Sequence, residues 1–479
     1  MTKGAYVGVG GVARKIKKGY VGVDGKARKI KKAYIGVGGV ARPCWGGEEL
    51  KYYGVVTHLS EGRASLAATT VGGYALFGGG EAGDFVPNTA VDAYTTSLVH
   101  STPAPLSCSR ESFAATTVGN YALFGGGSSS RTVEAYTESL VLSNATSLSS
   151  AREGLAATTV GGYALFGGGG DGAAMAEGTV DAYTTSLVRS TPAPLSEERD
   201  DLAATTVGNY ALFGGGDGGA GGPVDAYTTS LVHSTTASRT EGRSDLAATT
   251  VGGYALFGGG LYKGSAPRAS TYISFSGTVD AYTTSLVRST ATSLSSAREG
   301  LAATTVGGYA LFGGGFYEGG SARATGVAYS ATVDAYTTSL VHSTTTSLSE
   351  GRGKLAATTV GGYALFGGGD YNSGALPGTG KSDAVDAYTA PPLKTGTLRI
   401  KTVWGVIAYY GDETVEDEQA VSLPINANNL KVTAVYYEIP TYTDIVSTNV
   451  SWTSQPGRKT EGVAWVLDPT KDASIVWAD

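Results

Sequence analysis

The hydrophobic residues of this chain return in one repeated line of sequence. Seven near-copies of LAATTVGGYALFGGG lie between residues 66 and 369. Their central tyrosines are 42 to 55 residues apart, at Tyr74, Tyr121, Tyr163, Tyr210, Tyr254, Tyr309 and Tyr363. A repeat of this length, rich in glycine pairs and strand-forming residues, is typical of a β-propeller or a related array.

Each repeat divides into four pieces of strand length, named A to D in chain order. In the first repeat they cover about 66–71, 74–77, 91–95 and 98–101. Gly-Gly or Gly-Asn separates A from B, as a hairpin turn with positive φ at both positions requires. Strands A and B lack a strict polar–apolar alternation, which indicates that both sheet faces are covered. In a propeller the neighbouring blades cover them, and Tyr74, Phe77 and their equivalents would supply the packing between blades.

The second recurring phrase, VDAYTTSLV, supplies strands C and D, and its last copy is truncated. That copy begins at Val385 and stops after VDAYT, so the seventh repeat lacks strand D. Upstream of the first repeat, residues 50–56 offer a spare strand. We predict that this strand pairs with residues 385–389 and closes the ring, because an open ring would expose sheet edges and an apolar blade face.

Two further segments flank the repeats. Residues 1–46 hold three 14-residue units of the YVGVGGVAR type, each predicted to be a β-hairpin, with Asp24-Gly25 as the strongest turn signal. Beyond the repeats, aromatic and β-branched runs predict strands at 398–410, 430–439, 444–453, 462–467 and 473–477. We therefore predict an all-β protein with a hairpin segment at 1–46, a seven-bladed propeller at 47–394 and a small β-sandwich at 395–479.

Charge changes the picture at the amino-terminal end. Residues 1–50 hold eleven Lys or Arg and three Asp or Glu, a net charge of +8, and the whole chain carries −6, which leaves −14 for the remainder. Clustered lysines could bind nucleic acid. Exposed strands protected against aggregation, or a docking surface for an acidic or oligomeric partner, explain the same residues better. No stretch of 18 apolar residues predicts a membrane span, and the first residues lack the apolar core of a signal peptide.

Candidate catalytic residues are few. One position of strand D varies between repeats, and we interpret it as a surface position; it holds His100, Leu142, Arg189, His233, Arg288 and His342. These residues form no metal-ligand set and no nucleophile–base pair. An Arg before strand A and an Asp or Glu in strand C recur in every repeat, which favours a structural role such as bonding loop carbonyls. We predict a non-enzymatic protein with no catalytic residue, no metal and no cofactor.

The repeat resembles the kelch repeat. An Arg precedes strand A, Gly-Gly follows strand B, and a Val-x-x-Tyr strand is followed by an apolar strand D. One departure is that Leu-Val stands where kelch repeats usually place a Trp. The resemblance implies a seven-bladed propeller but indicates no function, because propellers include enzymes, receptors and scaffolds.

The whole chain resembles structural or tail-associated proteins encoded in phages and prophages of Gram-positive bacteria. The resemblance lies in the basic YVGVGGVAR repeats, an ARPCW boundary and the kelch-like blades. It implies a virion adhesion protein of the tail-fibre or receptor-binding type, assembled in the host cytoplasm and extracellular after release. Its partners would be a host-surface glycan or protein and, through the basic segment, other virion proteins in a homo-oligomer, without nucleic acid or membrane insertion. A bacterial kelch-type scaffold or lectin-like protein is the alternative, and a propeller glycosidase is the third candidate.

Variation between repeats predicts the binding face. Because strands alternate in direction, B–C loops and D–A links share one face, whereas the nearly constant A–B and C–D turns share the other. The B–C loops lengthen in the last three repeats, to 261–278, 316–332 and 370–384, as binding insertions of repeat arrays do. The candidate contacts are Tyr262, Arg268, Tyr272, Phe316, Tyr317, Arg323 and Tyr371. Tyr272, Phe316, Arg268 and Arg323 are the leading four, and Tyr262, Tyr317 and Tyr371 have the alternative role of pinning the loops down.

Overall fold

The computed structural model describes residues 50–390 except 84–85, 129, 172–174, 217–220, 266–270, 319–326 and 372–379. It describes the backbone alone at 263–265, 271–273, 318 and 327, and in the strands outside 50–390. The chain divides into two compact units, Leu50–Pro391 and a second unit made of Met1–Glu49 with Pro392–Asp479. Among the described residues, no helix is long and apolar enough to cross a membrane.

The unit Leu50–Pro391 is a seven-bladed β-propeller, as predicted. Each blade is a four-stranded antiparallel sheet in the order A-B-C-D. Each strand A lies beside the A strands of the two neighbouring blades, and that of blade 7 lies beside that of blade 1. The seven A strands therefore surround a central channel of about 470 Å³.

The strands agree with the repeat pattern. Blades 1 to 3 consist of Ala67–Val71, Tyr74–Gly78, Val91–Thr95 and His100–Ser101; Ala114–Val118, Tyr121–Gly125, Val133–Thr137 and Leu142–Asn144; and Ala156–Val160, Tyr163–Gly167, Val180–Thr184 and Arg189–Ser190. Blades 4 and 5 consist of Leu202–Val207, Tyr210–Gly215, Asp225–Thr228 and His233–Thr235; and Ala247–Val251, Tyr254–Gly258, Val279–Thr283 and Arg288–Ala291. Blades 6 and 7 consist of Ala302–Val306, Tyr309–Gly313, Val333–Thr337 and His342–Thr344; and Ala356–Val360, Tyr363–Gly367, Val385–Thr389 and Lys51–Val55.

Blade 7 is completed by a strand from the other end of the repeat region. Lys51–Val55 pairs antiparallel with Val385–Thr389, which places Lys51 opposite Thr389. The hydroxyl of Tyr52 donates a 2.6 Å hydrogen bond to Asp386 Oδ1. The pairing expected from the truncated seventh repeat is present, and the ring is closed.

In the part of the propeller that the structure describes, four B–C loops carry an additional two-stranded hairpin. These hairpins are Glu81–Ala82 with Val86–Pro87, Leu261–Ser265 with Thr271–Phe275, Phe316–Glu318 with Val327–Tyr329, and Asp370–Tyr371 with Gly380–Lys381. They belong to blades 1, 5, 6 and 7, which are consecutive once the ring has closed.

Strands are also present outside the propeller. Three antiparallel hairpins join Tyr6–Val9 to Val12–Lys15, Tyr20–Val23 to Lys26–Lys29, and Ala33–Val37 to Val40–Trp45. The later strands are Thr395–Ile400, Ala408–Tyr410, Glu413–Val415, Ala420–Pro424, Leu430–Val432, Val450–Ser454, Glu461–Val466 and Ala473–Trp477. The predicted C-terminal sandwich and the docking role of residues 1–46 lie outside the described residues and stay predictions.

Neighbouring blades interlock through the LFGGG segment. The Phe77 side chain is fully buried, and its ring lies edge-on to that of Tyr94, with centroids 5.9 Å apart. A Cβ at Gly78 would come within 2.9 Å of the Phe124 ring of the next blade. The first glycine of GGG therefore leaves room for the neighbouring phenylalanine, which explains why the two residues recur together.

The threonine pair of strand A bonds one blade to the next. Thr117 donates its hydroxyl proton to the Thr70 carbonyl of the preceding blade at 2.5 Å. Thr69 Oγ1 lies 2.9 Å from Thr117 Oγ1, and Thr69 must be the donor because Thr117 has already used its proton. Five further blade boundaries repeat both bonds. Side chains thus occupy the inner sheet edges, which would otherwise be open to pairing.

Candidate functional site

The recurring arginines form a buried ion pair in every blade. The Arg63 and Asp92 side chains are both fully buried and paired, and Arg63 Nη1 also donates to the Gly79 carbonyl at 3.0 Å. The equivalent pairs are Arg110–Glu134, Arg152–Asp181, Arg199–Asp225, Arg243–Asp280, Arg298–Asp334 and Arg352–Asp386. The predicted role of bonding loop carbonyls is confirmed, and these groups belong to the scaffold.

The variable position of strand D is not the exposed surface position that its mixed residue types predict. It is half-buried and bonds to the ion pair: His100 Nε2 lies 2.7 Å from Asp92 Oδ1, and Arg189 Nη1 lies 2.9 Å from Asp181 Oδ1. Tyr52 fills the position in blade 7. Leu142 occurs only in the blade where Glu134 replaces the aspartate. The interpretation as a plain surface position was wrong, because His and Arg share the ability to donate to the buried carboxylate.

The two faces of the ring have the predicted composition: B–C loops and D–A links form one face, and A–B and C–D turns form the other. B–C loops pair with D–A links at Ala64 with Glu81, Ser244 with Leu261, Glu299 with Phe316 and Gly353 with Asp370. On the other face, the A–B turn packs against the C–D turn of the next blade, since a Cβ at Gly119 would lie 3.0 Å from Thr185. The B–C loops therefore pair with the D–A links, and these links lead into the A strands that surround the channel.

A closed ring of backbone hydrogen bonds surrounds the channel mouth on the B–C face. Its members stand two residues after each recurring arginine, and all have positive φ: Ser65, Ser112, Gly154, Asp201, Asp245, Gly300 and Lys354. Each N–H donates to the carbonyl of the equivalent residue in the preceding blade, at 2.8 to 3.3 Å. No recognised sequence motif predicts this ring. Its only signal was a position of mixed residue type at a constant distance from each arginine.

Phe316 was predicted as a leading ligand contact, and its placement argues otherwise. It is 9% exposed, and its ring lies 5.0 Å from that of Tyr329. A Cβ at Gly353 would come within 2.6 Å of the same ring. Phe316 therefore pins the blade 6 hairpin onto the link of the next blade, and we correct its assignment from ligand contact to packing.

The other predicted contacts differ in accessibility. Tyr317 is 37% exposed, and Tyr262 and Tyr371 are half-buried. The Tyr371 ring lies over Gly380, which fits the alternative that it pins its own hairpin. Arg268, Arg323 and the side chain of Tyr272 lie outside the described residues. The structure thus places Tyr262, Tyr317 and Tyr371 on one face but does not test the ligand site itself.

Blade 1 also carries an additional hairpin, which its short B–C loop did not predict. The predicted ring closure places this hairpin next to that of blade 7. Each additional hairpin has a cross-strand residue pair at its base, and this pair differs in polarity and charge among the four blades. The cross-strand pairs are Leu261–Phe275 in blade 5, Phe316–Tyr329 in blade 6, Asp370–Lys381 in blade 7 and Glu81–Pro87 in blade 1.

A charged cluster lies at the boundary of blades 7 and 1. Lys381 Nζ donates to Asp370 Oδ1 at 2.7 Å and also to Glu81 Oε1. The three side chains are between 5% and 9% exposed. Burial raises the pKa of Asp370. Burial also acts to raise the pKa of Glu81, but Lys381, Glu111 and Lys354 together lower it on balance. No sequence signal joined Glu81 to Lys381, which are 300 residues apart.

Glu111 extends the cluster toward blade 2. Burial, followed by the neighbouring Glu81 carboxyl group, raises the pKa of Glu111 to about 7. In the part of the chain that the structure describes, no group of three or more His, Cys, Asp or Glu side chains is arranged to hold a metal ion.

Comparison with known proteins adds little to this picture. No protein-family model matches the chain, and no curated protein matches it. A solved structure titled "Structure of YjhT" is similar: it is 12% identical, the match covers 69% of this chain and 96% of that one, and the TM-score is 0.44. So distant a similarity carries no argument about function. The kelch and phage resemblances stay predictions.

Proposed function

We propose that the protein is a non-enzymatic adhesion protein whose propeller binds its target on the B–C face. One observation carries this proposal: the seven blades repeat the same interior, while four consecutive blades carry additional two-stranded hairpins on the B–C face among the described residues. The interior must pack against a neighbouring blade in the same way in all seven blades. The loops of the B–C face do not have to meet that requirement, so their residues are free to differ and to suit a ligand.

The accessible groups on this face suit a polar ligand. Tyr317 is exposed, Tyr262 is half-buried, and the same loops contain Arg268, Tyr272 and Arg323 in sequence. Aromatic rings beside cationic groups are suited to stacking on sugars or to anchoring a protein surface. Phe316 and Tyr371 would hold the hairpins in place and contact no ligand.

We further propose that the protein acts in a virion of a phage of Gram-positive bacteria, with the basic segment 1–46 docking on other virion proteins. The support is the sequence resemblance and the +8 charge of residues 1–50. A peptide map of purified virions should contain this chain, and its absence there would contradict the virion setting while leaving the adhesion function standing.

The binding face is tested with labelled protein on bacterial cells and on a glycan array. Alanine at Tyr262, Arg268, Tyr317 and Arg323 should weaken binding at least about tenfold without changing the melting temperature, because exposed loop positions contribute little to stability. A matched control replaces Val99, Val188, Val287 and Val341 with serine. These valines are 55% to 61% exposed at C–D turns on the opposite face, so binding should be unchanged.

Unchanged binding by a folded loop variant would contradict the face assignment, as would loss of binding in the valine control. Product analysis of the same glycans tests the non-enzymatic part. Cleavage of any bound glycan by the wild-type protein, with no cleavage by the loop variant, would show an enzyme instead.

A further inference from the structure

One D–A link holds an arginine where the other six links hold a buried leucine. The position lies four residues before each recurring arginine, and the link that enters blade 5 has Arg239 there, only 5% exposed. Its amide donates to the Gly222 carbonyl at 3.3 Å, as the Leu195 amide donates to the Gly178 carbonyl one blade earlier. The backbone position is therefore the same, and a cation occupies a place that the fold fills with an apolar side chain. The leucines are 2% to 6% exposed, at Leu59, Leu106, Leu148, Leu195, Leu294 and Leu348.

Arg239 differs from the seven recurring arginines in having no carboxylate partner among the described residues. Each of those seven pairs its Nη2 with an Asp or Glu of its own blade. Arg239 instead donates its Nη1 to the backbone carbonyls of Glu241 and Arg243, at 3.2 and 3.5 Å. Its Nε and Nη2 have no hydrogen-bond partner in the part of the chain that the structure describes. These two nitrogens form the edge of a guanidinium group that binds an oxyanion through two parallel hydrogen bonds.

The carboxylates of the same link and of blade 5 are engaged elsewhere. Asp280 pairs with Arg243. Glu241 accepts a 2.5 Å hydrogen bond from the Ser276 hydroxyl. Neither carboxylate therefore neutralises Arg239.

The B–C loop of blade 4 meets this link with glycines. A Cβ at Gly221 would lie 3.0 Å from the Arg239 carbonyl oxygen, and Gly222 accepts the Arg239 amide. A Cβ at Gly222 would come within 2.7 Å of Glu197 Oε2 and 3.8 Å of Arg199 Nη1, so the Glu197 carboxylate lies toward Arg199. The described end of this loop thus brings no acidic side chain of its own to Arg239.

The electrostatic surroundings make an unpaired cation costly at this position. Burial, followed by the positive charges of Arg243 and Arg199, lowers the pKa of Arg239 to about 10. The side chain is therefore still a cation at neutral pH. A buried charge without a partner is destabilising, and an anion that reached it would remove that cost.

We propose that Arg239 is the centre of an oxyanion site on the B–C face, which takes a carboxylate or phosphate group of an acidic ligand. Two oxygens of that group would accept from Nε and Nη2, in the place of the carboxylate that the other buried arginines have. Because Arg239 is only 5% exposed, water competes little for the same nitrogens. The link enters blade 5, the first of the four consecutive blades with additional hairpins. A part in target recognition rests on the proposed function, whereas anion binding itself does not.

Thermal unfolding of the full-length protein measures the anion site without the target. At constant ionic strength, replacing chloride with about 50 mM potassium phosphate or potassium acetate should raise the melting temperature by about 2–4 °C, because an anion that binds the folded chain stabilises it. A shift with phosphate alone identifies a phosphate site, and a shift with acetate identifies a site that accepts carboxylates. Phosphate also stabilises folded proteins by exclusion from their surface, so the difference between wild type and variant is the readout.

Arg239→Leu installs the residue of the other six links, so the variant should fold and should melt in chloride at least as high as the wild type. Its specific anion shift should be lost, as should that of Arg239→Gln, which keeps a polar side chain without the charge. Arg131→Leu is the matched control, because Arg131 is an exposed arginine in the B–C loop of blade 2, and it should keep the full shift. No shift in the wild type, an equal shift in both Arg239 variants, or loss of the shift in the control would overturn the proposal.

A further variant tests whether the chain supplies its own anion. Asp217 belongs to the B–C loop of blade 4 and lies outside the described residues. A specific shift that is absent from the wild type and present in Asp217→Asn would overturn the proposal, since the partner of Arg239 would then be internal.

Target binding separates this site from the proposed function. About tenfold weaker binding of bacterial cells or array glycans by Arg239→Leu would tie the site to recognition. Loss of the anion shift with unchanged target binding would overturn the part in recognition while leaving both the anion site and the adhesion function standing. Loss of target binding in the loop variant alone would place the target contacts on the hairpins and away from Arg239.

Discussion

The interior of the propeller and its B–C face are made from the same repeats under opposite constraints. In the interior, each Phe ring lies against the first glycine of GGG in the preceding blade, each buried Arg pairs with a carboxylate of its own blade, and threonine pairs bond six of the blade boundaries. On the face, Phe316–Tyr329 and Asp370–Lys381 occupy equivalent positions with unrelated chemistry. Packing against an identical neighbour fixes a residue type throughout the ring, whereas a loop that meets its own surroundings only once remains free to differ.

Deleting residues 1–56 should lower the stability of the propeller more than any other change considered below. The deletion removes strand D of blade 7 and exposes an edge and an apolar blade face, so we expect a loss comparable with the total stability of a domain, about 5–15 kcal/mol. Deleting residues 1–46 leaves Lys51–Val55 in place and is the matched control. Thermal unfolding by circular dichroism should separate the two, and equal melting temperatures would contradict closure as a source of stability.

Truncating one buried aromatic should cost less than opening the ring. Phe77 and Phe213 are fully buried between blades, and either one changed to Ala should lose about 3–5 kcal/mol in chemical denaturation. Tyr317→Ala on the variable face should change stability by less than about 0.5 kcal/mol. A loss below about 1 kcal/mol at both phenylalanines would show that strand B is not core.

Removing a buried arginine should have an effect of similar or slightly smaller size. Arg298→Ala leaves Asp334 as a buried carboxylate that still accepts hydrogen bonds from Ser295 and His342 but has lost its arginine, so we expect a loss of about 3 kcal/mol. Denaturation at several pH values adds a second readout. Burial acts to raise the pKa of Asp334, but Arg298 together with the hydrogen bonds from His342 and Ser295 lowers it on balance. The variant's deficit should therefore shrink as the pH falls and Asp334 becomes protonated.

The smallest effect on stability is expected at the strand D position that already holds His, Arg, Leu or Tyr in different blades. His342→Arg should leave stability within about 0.5 kcal/mol, because Arg189 bonds the equivalent carboxylate in blade 3. His342→Leu should cost about 1 kcal/mol through one lost hydrogen bond to Asp334. Equal stability of both variants would show that the bond contributes nothing.

Most of the fold could be predicted because the residues that determine it recur in every repeat. The repeats give the blade number, and the truncated copy at Val385 gives the closing strand. What could not be predicted is which loop side chains meet at the boundaries between blades. Glu81 meets Lys381 only after closure, and the ring through Ser65 and Lys354 follows from backbone positions that no residue type reveals. The burial of Phe316 depends on two glycines in separate links, which a loop sequence does not show.

The closing strand also determines how the propeller would respond to a pulling force. Lys51 lies opposite Thr389, so the two flanking segments leave blade 7 from the same end of one antiparallel pair. Tension applied through those segments would load the pair in an unzipping direction, in which its hydrogen bonds break one at a time. The strand that closes the ring would then be the first element to yield, before any other blade carries load.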